Sequence, residues 1–267
     1  MTARAFFRTP KGQLVIVFAP IIAIATWQAG IAALGELVIA TAVAAAIDFV
    51  VLRRREGEWT LPSGAILTGL IIGMILSPHE PWHVVAIASA VAIASKYALR
   101  SSAANVFNPA ALALLIAFFA FGAEESWWGA LPDLPMAALL VVAAGGLYLA
   151  ERLNKLPSVV AFLLTYFAGF TLVSFVGDPG SVWEVFRAPD LHAVIFLALF
   201  MVTDPPTSPP KAREQIIYGV LCAGITVGTY LWGGGAYFLL TGVLAGNIWE
   251  AWRRARQRRL REARRAA

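Results

Sequence analysis

Apolar residues in this chain run in long, nearly uninterrupted blocks, and that arrangement limits its fold more than any other feature. Residues 14–29, 31–52 and 157–176 show neither the single apolar stripe of a soluble helix nor the alternation of a strand. Blocks of about 20 apolar residues match a hydrocarbon layer ~30 Å thick. Within lipid, each backbone N–H and C=O needs a partner in its own segment, which a helix provides. Further blocks lie at 61–76, 82–99, 109–121, 136–149, 191–202, 216–232 and 237–252. The fold expected is an all-α polytopic membrane protein of about ten transmembrane helices. Short connections leave no room for a soluble domain, so residues 1–267 form a single membrane domain. Residues 1–12 are basic but lead directly into the first block, so no cleavable signal is expected.

Composition agrees with this reading. Hydrophobic residues make up 59% of the chain and charged residues 14%, against roughly 45–50% and 25% in soluble domains. The only cysteine, Cys222, sits inside an apolar block. It excludes an intramolecular disulfide, a cysteine-held iron–sulfur cluster and a cysteine-based zinc site, and reads as a small packing residue.

Basic residues set the expected orientation. Taking connections alternately, twenty of the 21 Lys and Arg residues fall on one side, and Arg187 stands by itself on the other. Lys and Arg mark the cytoplasmic side, so both termini are expected there, in a bacterial inner membrane. The tail 253–267 carries eight arginines. It reads as an anchor to anionic lipid, and nucleic acid is not expected as a partner.

Two segments resemble each other. Residues 63–78 read SGAILTGLIIGMILSP and residues 191–206 read LHAVIFLALFMVTDPP. Each is a short apolar stretch ended by proline and followed by a full-length span. They are the third and eighth blocks, and their odd offset makes the copies antiparallel. Short, proline-interrupted segments at matching positions point to an inverted repeat with a ligand site at its interface. The repeats expected are 13–122 and 135–252.

Few polar groups enter these blocks, and each has two readings. Asn105 and Asn108, in NVFNPA, present donors and an acceptor suited to the edge of a heterocycle; Asn108 followed by Pro109 is equally a helix cap. Asp204, after Thr203 and before two prolines, is a carboxylate close to the membrane and a functional candidate, or a partner for backbone N–H groups that the prolines free. Lys96 snorkels to the interface or faces an anionic cofactor, and Asp48 reads as a partner for Arg53, Arg54 and Arg55. His79 and His83 flank Pro81, and a metal site there is the less favoured reading.

In order and spacing, SGAILTGLIIGMILSPHEPW, Lys96, NVFNPA, FMVTDPPTSPPKAREQIIYG and LLTGVLAGN resemble the NqrB/RnfD family, membrane subunits of Rnf-type and sodium-pumping NADH:quinone oxidoreductase complexes. The resemblance implies ten helices in two inverted five-helix repeats, similar to urea channels. It implies a non-covalent flavin, riboflavin or FMN, and electron transfer across the membrane. By position it implies flavin contacts from Asn105 and Asn108, with Asp204, Thr203, Ser63, Thr68 and Lys96 around them. The partners it implies are other membrane subunits of a redox complex and an extracytoplasmic FMN-binding protein. The chain departs from the family in two places. Its connection 122–135, GAEESWWGALPDLP, has no threonine to take FMN covalently, so no covalent FMN is expected. SSAA at 101–104 replaces a glycine-rich stretch, and its Cβ atoms restrict close approach to a flavin. The short outer connections, with Trp127 and Trp128 at the membrane interface, are expected to form a flat docking surface. The alternative function is a small-solute transporter or channel of inverted-repeat type.

Overall fold

Two ends of one long helix meet the same lysine, which shows how the chain is folded. In the computed structural model, which describes residues 6–57, 60–101, 104–177, 179–233, 235 and 237–266, helix α1 runs Pro10–Glu56. Asp48 in α1 accepts a salt bridge from Lys96 at 2.8 Å, while Lys11 and Lys96 Nζ both lie within 4 Å of the Cβ position at Gly64. A straight helix would hold residues 11 and 48 roughly 55 Å apart, so α1 must double back. It does so at Gly30, with φ 82 and ψ −173, a conformation open to glycine and strained for other residues. The break falls between the first two apolar blocks.

Eight more α-helices follow among the described residues: α2 Ser63–Ile75, α3 Trp82–Ala98, α4 Pro109–Phe121, α5 Ala137–Arg152, α6 Leu156–Val176, α7 Asp190–Phe200, α8 Ala212–Gly233 and α9 Phe238–Ala266. Three, α1, α6 and α8, are long and apolar enough to cross a bilayer by length and composition. The protein is an all-helical membrane protein. Arg4, Ser102, Ala103 and Asp178 lie outside the described residues.

The short helices α2 and α7 stop inside the fold, where their last carbonyls need partners. Leu76 is extended, with φ −60 and ψ 150, and pairs with Glu125 in an antiparallel bridge. Ser126 N and Trp127 N donate to Ile75 O at 2.9 and 3.1 Å, and Trp128 Nε1 donates to Gly73 O at 2.7 Å. The connection after α4 thus closes the end of α2. Trp127 and Trp128 are 5% and 4% exposed. That corrects the expected interfacial pair: their indoles serve the helix end and its core. At α7 the same demand is met locally, since Thr203 Oγ1 donates to Leu199 O at 2.6 Å.

Glycines set how closely the helices approach. A Cβ on Gly69 would lie 2.6 Å from Thr41 Cα, and one on Gly73 2.9 Å from Leu37 Cα. The GLIIG stretch therefore lets α2 lie directly on the second half of α1, as small residues four apart do between membrane helices. Phe18 stacks on Phe196 and meets Phe200 edge-on at 5.0 Å, joining the first half of α1 to α7. Cys222 is fully buried, consistent with packing.

Gly69→Val is expected to cost about 1–3 kcal/mol by overpacking against backbone. Gly228→Ala, whose Cβ meets nothing within 4 Å, should leave stability unchanged or raised. Thermal unfolding of the two purified variants checks the contrast, and equal melting temperatures would refute it.

Candidate functional site

Asn247 lies deep in α9 with no solvent exposure, and its amide joins three segments. Its Oδ1 accepts from Asn108 N at 2.8 Å. Its Nδ2 donates to the Tyr218 hydroxyl at 2.8 Å and to Thr207 O at 3.3 Å. NVFNPA and TDPPTSPP, far apart in the chain, are therefore held together. A buried amide with every group paired is stable where a half-paired one is costly.

Asn108 caps α4, since its Oδ1 accepts from Ala111 N at 3.1 Å. The capping reading is thus correct for the oxygen. Its Nδ2 group has no hydrogen bond among the described residues and stays available to a ligand. Asn105 is half-buried and pairs through its backbone with Arg100. No side-chain hydrogen bond of Asn105 occurs among the described residues.

The TDPPTSPP turn organises itself around Asp204. Thr207 Oγ1 donates to Asp204 Oδ2 at 2.7 Å, and Ser208 Oγ donates to Asp204 O at 2.7 Å. Burial pushes the Asp204 carboxyl up to about 6, which Thr207 and nearby Lys155 partly offset. Lys155 is 4% exposed and donates to Ser208 O at 3.2 Å and Pro209 O at 2.7 Å. Burial lowers its ammonium to about 8, opposed by the Asp204 and Glu250 carboxylates. Arg254 reaches Pro206 O at 2.6 Å and Glu250 at 2.6 Å, and Arg253 pairs with Glu250 and Glu214. The first two arginines of the basic tail are therefore parts of this cluster, and α9 continues unbroken through the tail to Ala266.

A second group forms around Lys96. Its Nζ donates to both Asp48 oxygens at 2.8 and 3.0 Å, and Tyr97 adds a hydroxyl. Asp48 therefore finds its salt-bridge partner across helices in Lys96, which corrects its assignment to the neighbouring arginines; Arg55 instead stacks over the Tyr97 ring. Lys11 and Lys96 Nζ come within 3.7 and 3.8 Å of the empty Cβ position of Gly64, beside Ser63 at the start of α2. Thr68 donates to Gly64 O at 3.0 Å and Thr203 to Leu199 O, so both hydroxyls serve their own helices. Among the expected residues, Asn108 and Asp204 are brought together through Asn247 and Thr207, and Lys96 joins the start of α2.

The face opposite this polar set holds a cavity of about 450 Å³, lined by Ser77, His79, Glu125, Trp127, Asp133 and Asp190 among others. It replaces the flat surface expected there and includes none of the residues singled out for flavin. No group of three His, Cys, Asp or Glu able to hold a metal occurs among the described residues. His192 Nδ1 donates to Ala130 O, 2.9 Å away, which ties α7 to the same connection. Sequence reading missed Asn247, Lys155 and Glu125. The signal for Asn247 was present: an amide in the middle of an apolar span is functional or structural by default.

The chain matches the family model of the NQR2, RnfD, RnfE family over residues 6–138 and 134–252. It is 28% identical to the D subunit of the ion-translocating oxidoreductase complex of Methanosarcina acetivorans, over 92% of this chain and 90% of that one. It is 25% identical to the D subunit of the proton-translocating ferredoxin:NAD(+) oxidoreductase complex of Clostridium ljungdahlii, over 80% and 79%. Identity is also 25% to the D subunit of the ion-translocating oxidoreductase complex of Ectopseudomonas mendocina, over 88% and 86%.

Asn247→Leu is expected to leave Asn108 N, Thr207 O and the Tyr218 hydroxyl unpaired. An orphaned buried group costs about 1–3 kcal/mol, so a lower melting temperature than that of an exposed control such as Arg259→Gln is the expected reading. A second outcome concerns pH. The folded chain holds the Lys155 proton less tightly than the unfolded chain, whose lysine keeps the usual 10.5. Unfolding therefore takes up a proton between about 8 and 10.5, and stability rises with pH across that window. Lys155→Met should flatten this rise, and an unchanged slope would remove Lys155 as its source.

Proposed function

Because the chain belongs to the NQR2, RnfD, RnfE family, we propose that it is the D-type membrane component of an ion-translocating redox complex, passing electrons across the bilayer on a non-covalently held flavin. The observation that carries this reading is the joining of NVFNPA to TDPPTSPP by Asn247. It builds a polar site between the two halves of the chain, where an inverted-repeat protein holds its ligand.

The residues fit a flavin in kind. The Asn108 Nδ2 group is available while its oxygen caps α4, which suits a carbonyl on a heterocycle edge. Asp204 and Thr203 stand across from it on the turn after α7. Asn105 lies three residues before Asn108 on the same connection. Lys11 and Lys96 converge on Gly64 with room left by the missing Cβ, which suits an anionic group such as the phosphate of FMN at the start of α2, beside Ser63 and Thr68. A bound flavin supplies one- and two-electron transfer, and the protein orients it and tunes its potential. Covalent FMN finds no acceptor, since residues 122–135 contain no threonine.

In this reading the chain crosses the membrane ten times as two inverted repeats, with both termini in the cytoplasm of a bacterial cell. Support comes from contacts that gather the basic connections on one face: Arg152 with Gln13, Lys155 with Ser208, Arg253 with Glu214. The second and fourth helices, and the fourth and fifth, pack together in each half. The third helices differ, as α2 lies on α1 while α7 lies on α5. Other membrane subunits and an extracytoplasmic FMN-binding protein are the partners proposed. The anchoring role of the tail falls to its arginines beyond Arg254, against anionic lipid.

Purified protein is expected to be yellow, with flavin released by denaturation and no flavin bound to the denatured chain. Asn108→Asp keeps the cap but loses the amide donor, so it should fold normally and release at least roughly fivefold less flavin, the equivalent of about 1 kcal/mol. Equal flavin in wild type and variant would reduce Asn108 to a cap. A colourless wild-type protein would favour the transporter reading.

A further inference from the structure

Lys11 is exposed in the first turn of α1 and has no salt bridge or hydrogen bond among the described residues. Folding nevertheless carries it to a second cation. Its Nζ and that of Lys96 lie 3.7 and 3.8 Å from one point, the empty Cβ position of Gly64. Beyond the chain neighbours of Gly64, no other side chain among the described residues comes within 4 Å of that point. Arg55 joins the group 4.7 Å over the ring of Tyr97, and Lys96 stands 5.4 Å over the same ring. Three cations from α1 and α3 thus gather around one carboxylate, Asp48, which is 1% exposed and already holds Lys96. Like charges repel at such distances, so the surplus of positive charge calls for an anion from outside the chain.

We propose that this cluster binds one phosphate group carried by a ligand at the membrane boundary. The groups left over are donors. Two of the three N–H groups of the Lys96 ammonium serve Asp48. The third, those of Lys11 and the Ser63 hydroxyl have no hydrogen bond among the described residues, and Arg55 makes its ring contact alone. A tetrahedral group with two or three charged oxygens meets donors arriving from α1, α2 and α3. A planar carboxylate, with two oxygens in one plane, serves them less well. The missing Cβ of Gly64 leaves open the point that both ammoniums approach.

Two sources carry such a group to this place. In the ten-span reading Lys11 precedes the first span, Ser63 lies near the start of the third and Lys96 near the end of the fourth, all at the cytoplasmic boundary. Phospholipid headgroups lie at that level, and basic pockets between membrane helices on that side bind anionic ones. FMN held nearby brings a phosphate of the same chemistry, and that source alone rests on the flavin reading. The phosphate site itself does not. The sources differ in what the phosphate carries, a diacylglycerol or a ribityl chain, and that difference is what the probes below read.

The test titrates the purified full-length protein in detergent with short-chain phosphatidylglycerol, short-chain phosphatidylcholine, FMN and riboflavin. Thermal stability and flavin fluorescence report binding. Phosphatidylglycerol binds more tightly than phosphatidylcholine where lipid is the source, and FMN more tightly than riboflavin where flavin is. Whichever preference appears should fall roughly tenfold in Lys11→Gln and again in Gly64→Ala. A methyl at Gly64 makes only ordinary contacts with the two ammoniums, so that variant should fold normally, keep every charge and fill the place of the phosphate. Arg259→Gln, in the exposed tail, should retain the preference, which separates the site from general attraction to a basic protein. The proposal is overturned by a wild type that prefers neither charged probe, by a preference that survives both variants, or by one that falls equally in Arg259→Gln. A colourless protein with a Lys11-dependent lipid preference would remove the flavin reading and leave this one standing. A yellow protein indifferent to both charged probes would do the reverse.

Discussion

A polar backbone group inside a low-dielectric interior has to be paired, and the architecture of this protein follows from how it meets that demand. The full-length helices meet it within themselves. The short helices α2 and α7 cannot, because each ends within the fold. At α2 the connection after α4 returns to supply N–H donors to Ile75 and an indole to Gly73. At α7 the threonine, the aspartate and the serine of TDPPTSPP form a self-bonded turn. Asn247 then links that turn to the start of α4. An interrupted helix thus creates a polar site where unbroken helices would leave only apolar contacts.

The two faces of the molecule are chemically different, and the difference comes from the same construction. On one face, buried or half-buried cations are matched to specific acceptors: Lys96 to Asp48, Lys155 to backbone carbonyls, Arg253 and Arg254 to Glu250. Such pairing lets basic groups be withdrawn from water without an uncompensated charge. On the other face the Glu125 carboxylate is buried, with no hydrogen-bond partner by geometry among the described residues.

The helical class was legible because burial in lipid imposes length and composition directly on the residues, without help from tertiary contacts. The reversal at Gly30 was readable as a boundary between two apolar blocks, and the proline-ended segments as short helices. The site was legible in part. Asn108 and Asp204 stood out as polar groups in apolar surroundings, yet nothing local revealed that Asn247 joins them across 139 residues of chain. Lys155 looked like one more basic residue of a connection, and Trp127 and Trp128 looked like interfacial anchors. Their burial depends on which segment folds over them, and no periodicity encodes that.

By itself, then, the order of residues determined the helical class, the positions of the interruptions and the family. The first two rest on a cost borne residue by residue: transfer of a side chain into lipid, or loss of a backbone hydrogen bond at proline. Tertiary structure decided the rest. It assigned Lys96 to Asp48 rather than leaving Asp48 to its neighbouring arginines, made a plug of the tryptophans, and buried the Glu125 carboxylate. Pairing of polar groups far apart in the chain is a property of distances in space, and only packing sets those distances.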